Sequence, residues 1–192
     1  EYGIPEAEME ELCNHIAGAT RQHNERLMKD HFGEDFDYGT FRAKTMDRMD
    51  AEIARDGLDI KPGVKELFAY LKQNGYRIAL ATSTAKERAS KNLERAGILD
   101  VFDAIVYGGV VPNGKPAPDI YLKACEDLGV QPQEAIGIED SINGVKSSSA
   151  AGLYTIMVID LIRPTDEIRP LADQIYDSLF DVIELLNKGI TI

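Results

Sequence analysis

Apolar residues recur at helical spacing through the first third of this chain, then alternate between helical stripes and short unbroken apolar runs. Met9, Leu12, Cys13 and Ile16 share one helical face, and Pro5 suits a first turn. Gly18 interrupts that stripe. Thr20 can cap a second helix, in which Glu25 and Lys29 pair across a turn. The polar, glycine-punctuated stretch 31–40 reads as a loop. Phe41, Thr45, Met49 and Ile53 make a third stripe, which Gly57 ends.

The period changes after Pro62-Gly63. Val64, Leu67, Phe68 and Leu71 predict an amphipathic helix, and Tyr76 to Ala81 a buried strand. Helices are then expected at 86–96, 119–128, 142–151 and 179–187. Strands are expected between them at 104–107, 135–138, 154–159 and 174–176. Strands that are apolar throughout and alternate with helices predict an α/β fold, a doubly wound (Rossmann-like) parallel sheet covered on both faces. Residues 1–57 form an expected helical unit and 58–192 an α/β unit. There is no internal repeat and no low-complexity tract.

Composition adds exclusions. The 192 residues suit one domain, or a core with a small accessory domain. Hydrophobic content is 44% and charged content 28%, as in a globular protein. The net charge of −12 argues against nucleic acid and membrane surfaces as partners. It also requires any anionic substrate to find a local cation or a metal. Cys13 and Cys125 lack metal-type spacing and read as reduced, buried and structural. His15 and His23 read as surface or helix-packing residues, and His31 has no evident partner. No apolar run is long enough to span a membrane and no leader is visible, so a cytoplasmic location is expected. Glu1 reads as an interior position of a longer chain.

Ligands of an open parallel sheet bind beyond the carboxyl ends of its strands. Thr82, Ser83 and Thr84 follow the first expected strand. Gly108, Gly109 and then Lys115 follow the second, and Glu139 and Asp140 the third. Each has a plain alternative: a helix cap for Thr82 or Thr84, a solvated charge for Lys115, a helix start at Asp140-Ser141. Their conjunction puts hydroxyl, ammonium and carboxylates at one sheet edge, the set that phosphoryl transfer uses.

With those residues in view, the stretch Phe102–Leu153, which contains Gly-Lys-Pro-Ala-Pro-Asp and Gly-Ile-Glu-Asp-Ser, resembles the haloacid dehalogenase superfamily, in its β-phosphoglucomutase-like phosphatase branch. Tyr76–Thr84 is similar to that family's second motif. The resemblance runs from about residue 58 to the end, and 1–57 is similar to the small helical cap of this branch. It implies that Thr82 bonds the transferring phosphoryl group and that Lys115 neutralises it, with Ser83 and Thr84 beside the substrate. Glu139 and Asp140 are implied to hold Mg2+, directly or through water. It implies a phosphatase acting on a small phosphorylated metabolite, a sugar phosphate or similar phosphomonoester, through an aspartyl-phosphate. A second Asp two residues beyond the nucleophile is implied as general acid and base.

The family's first motif, Asp-x-Asp-Gly-Thr/Val, is not matched before residue 58. Asp35-Phe36-Asp37-Tyr38-Gly39-Thr40 has one residue too many before Gly39 and follows a polar stretch. By the family topology the missing segment is the central strand, expected before residue 1, and its absence would leave two neighbouring strands with open edges. Gly18-Ala19-Thr20-Arg21 resembles a specificity loop, which implies that Arg21 touches substrate. The alternative is a solvated arginine paired with Glu25. Ala17, where the sugar-phosphate mutases carry lysine, favours a phosphatase over a mutase. A non-catalytic phosphate-binding relative is the third reading, and a monomer is expected.

Overall fold

A computed structural model describes residues 5–190, without the side chains of residues 6, 7, 10 and 11. Three helices come first: α1 (Glu6–Ile16), α2 (Arg21–Phe32) and α3 (Tyr38–Asp56). Thr20 caps α2, its hydroxyl accepting from His23 N at 3.2 Å. The expected loop at 31–40 is shorter than its composition suggests. α2 runs on to Phe32, and Asp37 starts α3 by accepting from Thr40 N at 3.0 Å. Phe32, Phe36 and Phe41 stack across this junction, so aromatic packing overrides its polarity. Leu12, Met28 and Tyr38 form the small buried core of these helices. His31 does have a partner, Glu8, at 2.6 Å. Cys13, expected to be buried, is exposed because it falls at the edge of the α1 stripe, whereas Cys125 is buried.

The remaining elements are α4 (Val64–Gln73), β1 (Ala79–Ala81), α5 (Lys86–Ala96), β2 (Ala104–Val106), α6 (Asp119–Leu128), β3 (Ile136–Glu139), α7 (Ile142–Ala151), β4 (Tyr154–Val158), β5 (Gln174–Tyr176) and α8 (Leu179–Asn187). All strand pairs are parallel. α4 packs against α8, whereas α6 and α7 pack against β1 to β4 and against each other. The core is therefore a doubly wound α/β layer structure with a helical unit attached.

Side-chain alternation sets the layers. Ile156 and Val158 of β4, with Ile136 and Ile138 of β3, join the cluster around Leu67, Val182 and Leu186 from α4 and α8. Gly137 and Glu139 face α7, where only glycine fits at 137, since a Cβ would lie 2.0 Å from Ser148 Oγ. Asp103 and Asp173 each clasp the neighbouring strand. Asp103 accepts from Ile78 N and Asp173 from Thr155 N, both at 2.7 Å, and each returns its own N–H to the same residue's carbonyl at 2.7 Å.

The sheet is in two pieces. Among the described residues β1 pairs only with β2, and β3 pairs with β4, which pairs with β5. β1 and β3 share no ladder, and a cleft of about 2000 Å³ lies between them. Leu67 and Leu71 of α4, Val182 of α8, and Ile120 and Ala124 of α6 line it from the two helix layers. Interiors normally leave few voids larger than a water molecule. The gap separates the facing edges of β1 and β3. Only Ala79–Ala81 of the apolar run join the β2 ladder, so β1 is shorter than that run.

Candidate active site

The carboxyl ends of β1 and β3 converge on Lys115. Its Nζ donates to Ala81 O at 3.1 Å and to Glu139 Oε1, bridging the two half-sheets. The residue is 6% exposed, so it is not a solvated loop charge. Asn113 and Asp119 hold the preceding turn, with Asn113 Nδ2 donating to Asp119 Oδ1 at 3.0 Å. A buried ammonium needs a paired carboxylate, and Glu139, itself 8% exposed, provides it.

Glu139 is engaged from several sides. The Tyr121 hydroxyl donates to Oε1, and Ser141 Oγ lies 3.4 Å from Oε2. Burial, then the Glu139 charge, pushes the Tyr121 phenol well above its ordinary range. The carboxylate rests on Gly144, where a Cβ would sit 1.8 Å from Oε2. Tyr121 was absent from the sequence reading. The available signal was a phenol on the apolar face Ile120, Ala124 and Cys125, because a buried tyrosine seeks a partner.

Asp140 differs from its neighbour. It opens on the cleft, and among the described residues no cation is bonded to it. Surrounding protein, then the adjacent Glu139 charge, push its carboxyl above the usual aspartate range. Ser141 caps α7, accepting from Gly144 N at 3.0 Å, so the helix-start reading also holds at this point.

Of the three hydroxyls after β1, none caps α5, whose first turn has no side-chain cap at Ala85. Thr82 Oγ1 accepts from Thr84 N at 3.1 Å, and Thr82 N donates to Val106 O at 3.0 Å. Ser83 Oγ is committed to Gly18 O at 2.6 Å. Thr84 O accepts from Gly108 N at 2.9 Å, tying the loops after β1 and β2 together. Arg21 is exposed at the start of α2 and lines the cleft. Its alternative partner, Glu25, is bonded to Lys29 at 3.0 Å instead. All seven expected site residues line one cleft; Lys115 and Glu139 are buried in its wall, and the other five keep solvent access.

Basic side chains outnumber acidic ones along the cleft, with Arg26 paired to Asp30 and Glu34 and Arg88 to Asp50. Arg21, Arg26, Arg42, Arg77, Arg88 and Lys115 line the cleft, against Glu134, Glu139 and Asp140. Over the chain, acids outnumber Lys and Arg by 33 to 21. Such a cleft concentrates anions. Glu139 and Asp140 offer hard oxygen donors, and their mutual repulsion is what a divalent cation relieves. No group of three or more candidate metal ligands occurs among the described residues. A Mg2+ that keeps several waters suits so small a donor set.

Comparison with known proteins agrees with this geometry. The family model of haloacid dehalogenase-like hydrolases matches residues 2–152. The phosphorylated carbohydrates phosphatase of Thermotoga maritima is 41% identical over 95 residues, 50% of this chain and 44% of that protein. Protein CbbY of Cereibacter sphaeroides is 34% identical over 154 residues, 78% of this chain and 66% of that protein. The crystal structure of CbbY from Rhodobacter sphaeroides in complex with phosphate superposes with a TM-score of 0.75 at 27% identity, covering 93% of this chain and 80% of that one. The chain thus spans about half to two thirds of the length of these curated relatives.

Proposed function

Since this chain belongs to the haloacid dehalogenase-like hydrolases, we propose that it is the cap and most of the core of a Mg2+-dependent phosphatase of a small phosphorylated metabolite, a sugar phosphate or similar phosphomonoester. The observation that carries this reading is Lys115, buried between the ends of β1 and β3 in a cleft where basic side chains outnumber acidic ones, within an acidic chain. The relatives named for phosphorylated carbohydrates support the substrate class.

In this reading residues 1–57 are the cap and 58–192 the core. A further strand of the full protein, expected ahead of residue 1, seats between β1 and β3 and carries the nucleophilic carboxylate. That carboxylate attacks phosphorus, the P–O bond to the leaving alcohol breaks, and water hydrolyses the aspartyl-phosphate. Lys115 meets the charge on the phosphoryl oxygens, and Thr82 and Thr84 supply hydroxyls beside them. Arg21 meets the rest of the substrate from the cap. Asp140, with Glu139 behind it, would hold Mg2+, which when bound offsets phosphoryl charge. The enzyme acts as a monomer in the cytoplasm.

The test is phosphate release from a panel of sugar phosphates by the full-length protein. Release that needs Mg2+, stops with chelator and is lost in Asp140→Ala is the expected result. Conversion of a hexose 1-phosphate to the 6-phosphate would make it a mutase instead. Binding of phosphate without turnover of any ester would leave the non-catalytic reading.

A further inference from the structure

The connection from α1 to α2 runs over the site, and its carbonyls are taken one after another. The last carbonyls of an α-helix have no partner within the helix. Asn143 Nδ2 donates to both His15 O and Ala17 O, each at 2.9 Å. Ile16 O receives Asn24 Nδ2 at 3.1 Å, and Gly18 O receives Ser83 Oγ at 2.6 Å. Asn24 lies within the helical unit. Asn143 and Ser83 lie in the core, in the first turn of α7 and on the loop after β1.

The fit is close on both sides. A Cβ at Gly18 would lie 2.4 Å from Ser141 Oγ, and one at Gly114 would lie 2.1 Å from Thr20 Cγ2. Ala17 packs on the core cluster of Ile142, Val145 and Met157. Asn143 is 6% exposed, and an amide NH2 has two donors, both used here. Turning the amide over would aim its oxygen at two carbonyls, so the partners set its orientation. An ion pair between the units, Arg88 to Asp50 at 3.0 Å, is more exposed, and such pairs hold weakly.

We propose that Asn143 is a positioning residue that, with Ser83, latches the α1–α2 turn onto the site and so places Arg21 over it. The latch shares the first turn of α7 with Glu139, which rests on Gly144, so the loop bearing Glu139 and Asp140 and the turn bearing Arg21 move as one piece. The consequence for catalysis rests on the phosphatase reading; the latch itself does not.

The test is hydrogen exchange, read by mass spectrometry on the full-length protein without substrate, for Asn143→Ala, Asn143→Asp, Ser83→Ala and the Ser83→Ala/Asn143→Asp pair. Asn143→Asp keeps the size of the side chain and places a negative charge at the start of α7, where a helix favours it. It therefore keeps α7 while removing both donors. We expect amides of residues 17–19 to exchange faster, on the order of tenfold for two lost hydrogen bonds, with α7 unchanged. The paired variant should depart from additivity, since both residues hold one turn. Unchanged exchange at 17–19 in both Asn143 variants overturns the latch, and so does equal acceleration across α7. Because no turnover is read, absence of phosphatase activity would count against the proposed function alone.

Discussion

At the scale of single residues, the site is organised around one buried carboxylate. Glu139 answers Lys115, Tyr121 and Ser141 at once, while Asp140 beside it faces the cleft. Adjacent carboxylates thus have opposite surroundings, one neutralised by a buried cation and one left for an external cation. Tyr121→Phe keeps the ring and removes one donor to a buried charge. It should destabilise the protein by about 1.5–3 kcal/mol, measured by denaturant unfolding, and an unchanged midpoint would contradict the buried arrangement. That Lys115, Glu139 and Asp140 meet at one sheet edge was legible in the sequence as a conjunction at strand ends. The committed position of Ser83 was not, because its partner, Gly18 O, is 65 residues away and a backbone atom.

At the scale of elements, packing reverses what propensity alone would say. Gly144 lies in the first turn of α7, where Gly→Ala would ordinarily favour the helix by about 1 kcal/mol. Its missing Cβ is the space that holds the Glu139 carboxylate. Gly144→Ala should therefore lower stability by about 1–3 kcal/mol and displace Glu139 from Lys115; a raised Tm would refute that. The Asp103 clasp gives a pH test. The Ile78 N–H, then Lys72, holds its carboxyl below the usual aspartate range. A depressed native pKa adds stability above the unfolded value, near pH 4, and that stability is lost as pH falls through the native value. Asp103→Ala should thus lower Tm at pH 7, with the difference closing below about pH 4. A constant difference would contradict the clasp. The helices expected near 86–96, 119–128, 142–151 and 179–187 form there, since their apolar periodicity is local. Strand ends were not legible in this way, because Tyr76–Ile78 can join a ladder only if a neighbour pairs with it.

At the scale of the molecule, two properties depend on the whole assembly. One is the split sheet, whose open β1 and β3 edges face a cleft lined from both helix layers. Its lining comes from α4, α6 and α8, elements far apart in the sequence, so no local pattern shows it. The other is the charge balance of the cleft, where basic side chains outnumber acidic ones in a chain of net charge −12. Composition alone argued that an anionic substrate needs a local positive site, and Lys115 is the cation that joins the two half-sheets there. Turnover of the best phosphomonoester by the full-length protein and by its Lys115→Ala variant, compared at a temperature where both are folded, therefore tests the account most directly. The account predicts that kcat falls by about 10²–10³, whereas a wild-type rate in the variant would contradict it.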